Sequence, residues 1–172
     1  MPLPDGVRLE RLTAEHADAL LAFELDNRAY FARSIADRGD AFFANFTAVL
    51  ADRLAEQATG DCQFHVLVDA AGAVVGRVNL VDLASGSAEL GYRIAESATG
   101  RGLATAAVRA VARLAATDYG LHRLTAGTSS ANAASRAVLE RTGFRQVLPP
   151  AAEPLDGRTV GQVTYELVLE GS

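Results

Sequence analysis

The chain has 172 residues, 49% of them hydrophobic, and a formal net charge of −5. We expect one domain over residues 1–172, because this length can bury one substantial core. The negative charge argues against nucleic acid as a partner, since a phosphate backbone attracts a surplus of Lys and Arg. One cysteine, Cys62, excludes an intramolecular disulfide. Because no apolar run suits a signal peptide or a bilayer span, we expect a cytoplasmic protein without a membrane partner.

The predicted elements begin with one strand and two helices. Residues 7–12 alternate apolar and charged side chains, as a half-buried strand does. Thr13 is a suitable N-cap for a first helix, which ends near residues 26–28. After an irregular stretch, Asp40 caps a second, longer helix whose apolar stripe runs from Phe42 to Leu54.

The middle of the chain predicts antiparallel strands that lead into a helix. These strands are predicted at residues 63–68, 74–81 and 88–94, with turns at 69–72 and 85–87. A helix follows from about residue 101 to 117, and a fifth strand occupies residues 122–128. Because strand, helix and strand form a crossover, the fifth strand is expected to run parallel to the fourth. This order favours an α+β fold over a doubly wound sheet.

The C-terminal part predicts a short helix and a final hairpin. The helix covers residues 132–142 and stops at Gly143, where a left-handed residue is needed. Residues 144–148 and 162–169 are predicted to close the sheet. The connection from Pro149 to Gly157 is expected to form a surface arm near the functional site.

The turn that opens the long helix carries the first chemical signal, in Thr99-Gly100-Arg101-Gly102-Leu103-Ala104. Glycine lacks a Cβ, so the backbone there can approach a ligand closely. The first N–H groups of a helix lack partners and lie at its positive end, so the turn predicts phosphate binding, with Arg101 as a further donor. The alternative is a plain tight turn. A Walker loop is excluded because Leu103-Ala104 replace its Lys-Ser/Thr pair, and Thr105 replaces the third glycine of the dinucleotide fingerprint.

Together with Asn132-Ala133-Ala134-Ser135 and the later Gly143-Phe144, this turn resembles the motifs of the GNAT superfamily of acyl-CoA-dependent N-acetyltransferases. Thr99 departs from the Gln or Arg of the family signature. The run from Glu89 to Ile94, followed by the glycine turn, is similar to the branch that acetylates ribosomal-protein N-termini. The resemblance extends from Val7 to Leu169. It implies a mixed, mostly antiparallel sheet of about seven strands, flanked by about four helices, with a splay between the fourth and fifth strands.

The resemblance also implies acetyl-CoA as co-substrate and no metal. The pantetheine arm would pair with the backbone of Ile94, Ala95 and Glu96. The pyrophosphate would meet the N–H groups of Thr99, Gly100, Arg101, Gly102, Leu103 and Ala104. Asn132 and Ser135 would bracket the upper arm and the sulfur, although Asn132 is also a good helix N-cap. His16, His65 and His122 are scattered without zinc spacing, so the residues give no reason to expect a metal.

Glu89 is the candidate general base, because a partly desolvated carboxylate beside the splay can have its proton affinity raised. The alternative is a surface glutamate on a half-exposed strand. Many family members have a tyrosine acid where this chain has Leu139, so Ser135 or a water would donate a hydrogen bond to the leaving thiolate.

The resemblance places one wall of the acceptor groove between the first two helices. Tyr30, Phe31 and Arg33 are therefore candidate substrate contacts. The alternative there is aromatic packing with a solvated arginine.

The function expected from the resemblance is N-acetyl transfer to a primary amine by direct attack in a ternary complex. The acceptor is a peptide amine, such as a ribosomal-protein N-terminus, or a small molecule such as a polyamine, an aminoglycoside or an amino acid. A non-catalytic acyl-CoA sensor of the same fold is the alternative, since the usual tyrosine is missing at Leu139. An oligomer is compatible with the sequence.

Overall fold

The computed structural model describes residues 1–147 and 161–169. The strands are β1 Arg8–Arg11, β2 Gln63–Val68, β3 Val74–Ala84, β4 Ser87–Ile94, β5 Arg123–Ser129, β6 Arg145–Val147 and β7 Gln162–Val168. The helices are α1 Ala17–Asp26, α2 Arg28–Phe31, α3 Asp40–Ala44, α4 Phe46–Thr59, α5 Leu103–Thr117 and α6 Ala133–Arg141. The arm predicted from Pro149 to Gly157 lies outside the described residues, as does Leu148 of the predicted sixth strand.

The seven strands form one mixed sheet in the order β1-β2-β3-β4-β5-β7-β6. Among the described strands, β4 and β5 are parallel and the other neighbouring pairs are antiparallel. The α+β fold and the parallel direction of β5 are therefore confirmed. The direction follows from the α5 crossover, which returns the chain to the end of the sheet from which β4 starts.

The described residues contain six helices, whereas the family resemblance implies about four. The predicted long helix from Asp40 is interrupted at Asn45, whose φ and ψ of −107° and 22° are not helical. Both the backbone N–H and the side-chain amide of Asn45 donate to the carbonyl of Ala41, at 3.1 and 2.9 Å. A side chain that bonds its own backbone in this way competes with helix propagation, so the segment divides into α3 and α4.

The two faces of the sheet are covered unequally. Val78, Leu80 and Leu90 are fully buried on the face that α5 and α6 cover. On the opposite face, α1 packs on β3 and α4 packs on β2. Further along that face, the side chain of Glu89 on β4 is exposed and that of Glu166 on β7 is partly exposed. The half of the sheet formed by β4, β5 and β7 therefore has one open face.

The parallel pair β4 and β5 separates soon after it begins. It is paired only at Ser87 with Arg123, Ala88 with Leu124 and Glu89 with Thr125. Beyond Glu89, β4 continues to pair with β3 and β5 continues to pair with β7. The predicted splay is therefore confirmed, and it leaves an opening in the middle of the sheet.

Candidate active site

A cleft of about 830 Å³ lies beside the splay, and a deeper part of about 450 Å³ lies between the diverging strands. The two parts share the residues Ser34, Ile35, Gly91, Tyr92, Asn132 and Ser135. Because these residues come from the α2 to α3 loop, β4 and α6, one continuous cleft joins the two faces of the sheet.

The glycine turn forms one end of this cleft. Gly100 and Gly102 both have a φ of +77°, and a Cβ at either position would meet no atom within 4 Å. The first helical bond of α5 runs from Ala106 N–H to the carbonyl of Gly102, at 3.0 Å. None of the six N–H groups of residues 100–105 donates to an atom of the described chain. Such a row at a helix N-terminus can hold a diphosphate.

Two donors predicted for the phosphate site, the Arg101 side chain and the Thr99 N–H, have other partners. Arg101 directs its guanidinium to the carbonyl of Ser97, at 2.6 Å, and to Asp5, at 3.7 Å, and it does not line the cleft. The N–H of Thr99 donates to the carbonyl of Glu96 at 3.3 Å, so it is not free for a ligand. Arg141, at the end of α6, does line the cleft. Since it belongs to no local motif, only the packing of α6 identifies it.

The backbone of Ala95 and Glu96 is already bonded within the protein, contrary to the predicted pairing with a ligand. Ala95 N–H donates to the carbonyl of Val75 at 2.9 Å, and Glu96 N–H donates to Asn27 Oδ1 at 2.9 Å. Their carbonyls accept hydrogen bonds from Ala98 and Thr99.

The residues of β4 that face the splay follow from the same register. In an antiparallel pair, alternate residues bond the neighbouring strand. Because Ala95 bonds β3, the N–H and C=O groups of Tyr92 and Ile94 face the splay instead. Of the three residues predicted to pair with an extended ligand, Ile94 keeps that position, and Tyr92 joins it.

Tyr92 and Ser135 meet inside the cleft. The Tyr92 hydroxyl donates to Ser135 Oγ at 3.3 Å. Burial raises the pKa of the Tyr92 phenol, although the hydrogen bond with Ser135 opposes this shift. Tyr92 therefore stays protonated near neutral pH and can donate a hydrogen bond. Tyr92 lies in an alternating strand and belongs to no chemical motif of its own, so it was not predicted as a site residue.

Asn132 and Leu139 have structural roles at the start of α6 and in its buried face. Asn132 Oδ1 accepts the N–H of Ser135 at 3.0 Å and so caps α6, as the alternative interpretation predicts. Leu139 is buried and lines the deeper part of the cleft, where its side chain cannot donate a proton.

Glu89 occupies the last paired position of β4, opposite Thr125 and next to the splay. Its side chain lies on the open face of the sheet and is exposed. The partial desolvation that the sequence predicts for Glu89 is therefore wrong, because an exposed side chain stays in contact with water.

Of the three predicted substrate contacts, two line the cleft and one does not. Tyr30 and Phe31 line the cleft, and Phe31 packs against Phe23 with ring centroids 5.4 Å apart. Arg33 does not line it. Its guanidinium is exposed and bonds Glu96 at 3.1 Å.

The charged side chains that line the larger part of the cleft are all positive in the described chain. Four arginines line the larger part of the cleft: Arg38, Arg77, Arg93 and Arg141. Among the described lining residues there is no Asp or Glu. Burial lowers the pKa of Arg77 to about 10, so this residue is still charged at neutral pH. A chain with a net charge of −5 therefore places a positive surface around this cleft.

Two kinds of feature are absent from the residues that the structure describes, a metal cluster and a membrane-spanning helix. Within residues 1–147 and 161–169, no group of three or more His, Cys, Asp or Glu is placed to hold a metal ion. No helix in the same ranges has the length and apolarity to cross a bilayer.

Comparisons with known proteins give concordant results. The family described as "Acetyltransferase (GNAT) domain" matches residues 7–145. The "Probable N-acetyltransferase YjcK" of Bacillus subtilis (strain 168) is 27% identical over 141 residues, which are 78% of this chain and 78% of that protein. The ribosomal-protein-S5-alanine acetyltransferase of Vibrio fischeri has a TM-score of 0.86 at 18% identity, over 96% of this chain and 94% of the other. RimJ of Mycobacterium smegmatis, in complex with CoA-disulfide, has a TM-score of 0.82 at 25% identity, over 97% and 84%.

Proposed function

Because the chain belongs to the GNAT acetyltransferase family, we propose that it transfers an acetyl group from acetyl-CoA to a primary amine in the cleft between β4 and β5. The observation that carries this proposal is the opening in the sheet beside six unpartnered N–H groups at the start of α5. The complex of Mycobacterium smegmatis RimJ with CoA-disulfide supports coenzyme A as the ligand.

The cleft offers separate groups for each part of the cofactor. The N–H groups of residues 100–104 suit the pyrophosphate, and Arg141 adds a positive charge to the wall of the same cleft. The backbone of Tyr92 and Ile94 suits the amide groups of the pantetheine arm, as an added strand would. When bound, acetyl-CoA supplies an activated acyl group, so no covalent enzyme intermediate is required.

The amine must lose a proton before it attacks, and Glu89 is our candidate to accept it through a water. An exposed carboxylate is best suited to an amine that is already partly neutral. A protein α-amine has a typical pKa of about 7.7 to 8.0, whereas that of a lysine amine is about 10.4. The exposure of Glu89 therefore favours the α-amine of a peptide N-terminus over a polyamine.

The leaving thiolate needs a hydrogen-bond donor, and Ser135 and Tyr92 are the candidates. Their hydroxyls are 3.3 Å apart and both line the two parts of the cleft. Because the Tyr92 phenol remains protonated, it can supply the hydrogen bond that Leu139 cannot. We also propose that residues 1–172 form one domain, with an amine acceptor and without nucleic acid as a partner.

A non-catalytic acyl-CoA sensor is the second candidate, favoured by the buried leucine at position 139. The two functions differ in turnover. Calorimetry with acetyl-CoA, followed by release of free thiol with a panel of amines and N-terminal peptides, separates them. Binding with thiol release supports the enzyme, and binding without release supports the sensor. Absence of acetyl-CoA binding would contradict both.

A further inference from the structure

A cluster of three arginines and one glutamate lies on the acceptor side of the cleft. Glu24, from α1, is only 5% exposed at its side chain and is 2.9 Å from Arg77 Nε and 3.2 Å from Arg93 Nη1. Arg77 and Arg93 are paired across β3 and β4, so both side chains point to the face that α1 covers. Arg38 lines the same cleft from the loop before α3.

The positive charge of this cluster is not neutralised. One carboxylate faces three guanidinium groups, which leaves a formal charge of +2. The Nε of Arg77 is fully buried and lies 2.9 Å from Glu24 Oε1, but it makes no hydrogen bond with any residue that the structure describes. Arg38 makes no ion pair with a described residue, and its guanidinium lies 4.5 Å from the ring centroid of Phe42. The side chains of Arg77 and Arg93 are only 16% and 20% exposed and share one carboxylate, so one enclosed positive charge is not balanced, and the exposed Arg38 adds a second. Enclosed charges normally have partners, so an anionic ligand is indicated here.

The cluster is close to the place where the chemistry is proposed. Gly91 faces the same side of β4 as Arg93, two residues away, which is about 7 Å along a strand. Gly91 also borders both parts of the cleft. An anionic group within a few ångströms of an amine at Gly91 therefore reaches the guanidinium groups.

We propose that the acceptor carries a carboxylate beside its reactive amine and that Arg38, Arg77 and Arg93 bind this carboxylate. The inference rests on the proposed acetyl transfer. Guanidinium groups bind carboxylates through two parallel hydrogen bonds, which also orients the amine. Polyamines and aminoglycosides would be repelled. The carboxylate belongs either to a free amino acid or to an acidic residue next to a peptide N-terminus.

The test compares acceptors of similar size that differ in charge. Free serine and serine amide form one pair, and the peptide amides Ser-Glu-Ala and Ser-Gln-Ala form the other, with Ser-Lys-Ala as a cationic acceptor. We expect kcat/KM from thiol release to be at least about tenfold higher for the anionic member of one pair, and lowest for Ser-Lys-Ala. The pair that shows the difference identifies the source of the carboxylate.

Variants of the arginines test whether the cluster causes this preference for anionic acceptors. Arg38→Gln changes an exposed residue, so the variant is expected to fold, and it should reduce the anionic preference about tenfold without changing the Kd of acetyl-CoA. Arg93→Lys, which keeps the charge towards Glu24, should have a smaller effect in the same direction. Arg113→Gln removes an exposed charge from α5 outside the cleft and is the matched control.

Equal kcat/KM values within both pairs, or a preference that survives Arg38→Gln, would overturn the inference while leaving acetyl transfer intact. If no acceptor reacts, the proposed function is contradicted instead. In that case, calorimetry of the two acceptor pairs with CoA-saturated protein decides the inference: tighter binding of an anionic member supports it, and equal binding within both pairs rejects it.

Discussion

The hydroxyl oxygens of Tyr92 and Ser135 lie 3.3 Å apart, one on β4 and the other on α6. This contact joins the strand that borders the splay to the helix on its other side. Both residues line both parts of the cleft. In the proposed reaction, this pair would supply the hydrogen bond that the buried side chain of Leu139 cannot.

Replacing Tyr92 with Phe removes the hydroxyl and keeps the ring. We expect kcat to fall about 10- to 100-fold, because the thiolate loses a donor, while the Kd of acetyl-CoA changes less than about twofold. Steady-state thiol release and calorimetry measure the two quantities. Tyr119→Phe is the control, since burial also raises the pKa of Tyr119 but that residue does not line the cleft. An unchanged kcat in Tyr92→Phe would exclude the role.

Replacing Gly102 with Leu fills the open space beside the row of free N–H groups. We expect the Kd of acetyl-CoA to rise at least about tenfold, because the side chain blocks the approach of the pyrophosphate. Gly72→Leu is a matched control. Gly72 also has a positive φ, of +87°, and open space at its Cβ, so its backbone strain is similar but it lies in the β2 to β3 turn. Equal loss of affinity in both variants would show that strain alone is responsible.

Replacing Glu89 with Gln keeps the size of the side chain and removes its charge. If Glu89 accepts the proton of the amine, kcat/KM near pH 7 should fall at least about tenfold, with acetyl-CoA binding unchanged. Glu166→Gln is the control, because Glu166 pairs with Thr125 on the same face, one strand further from the splay. A pH profile of kcat/KM identical to that of the parent protein would rule out Glu89 as the base.

Burial lowers the pKa of His65 to about 4, and its Nε2 lies 2.8 Å from the Tyr119 hydroxyl. In the unfolded chain an imidazole titrates near pH 6.5, so the unfolded state takes up the proton first as the pH falls. The contribution of neutral His65 to the free energy of unfolding is therefore complete above about pH 6.5. It is lost as the pH falls from about 6.5 to about 4, and its upper limit is about 3 kcal/mol. His65→Gln should flatten the free energy of unfolding over this window.

Urea unfolding at a series of pH values measures that slope. His122→Gln, at an exposed histidine, is expected to retain the slope of the parent protein. If His65→Gln retains it as well, the pH dependence has another source.

Replacing Glu24 with Gln leaves Arg77 and Arg93 without their carboxylate. We expect the free energy of unfolding to fall by about 3 to 5 kcal/mol, because a buried charge loses its partner. Glu56→Gln breaks the exposed pair with Arg53, at 2.7 Å, and should cost no more than about 1 kcal/mol. Similar losses in the two variants, by urea unfolding, would mean that burial adds nothing to the Glu24 network.

Local patterns in the sequence predicted much of the fold. The alternation of β3 and β4, the apolar stripe of α5 and the positive φ of Gly100 and Gly102 depend on neighbours within a few residues. The parallel direction of β5 followed from the crossover rule. The break at Asn45 was missed, because it depends on a competing side-chain bond that hydrophobic periodicity does not reveal.

By itself, the sequence determined where the glycine turn proposed to bind phosphate lies, since a helix start and its glycines are local features. Only the tertiary structure decided which groups face the cleft. The free backbone of Tyr92 and Ile94 depends on the register with β3, and the exposure of Glu89 depends on where the helices end. The meeting of Arg38, Arg77 and Arg93 depends on three segments that are distant along the chain. Contacts of this kind form only when the sheet is assembled, because no short-range pattern records which side chains will share a surface.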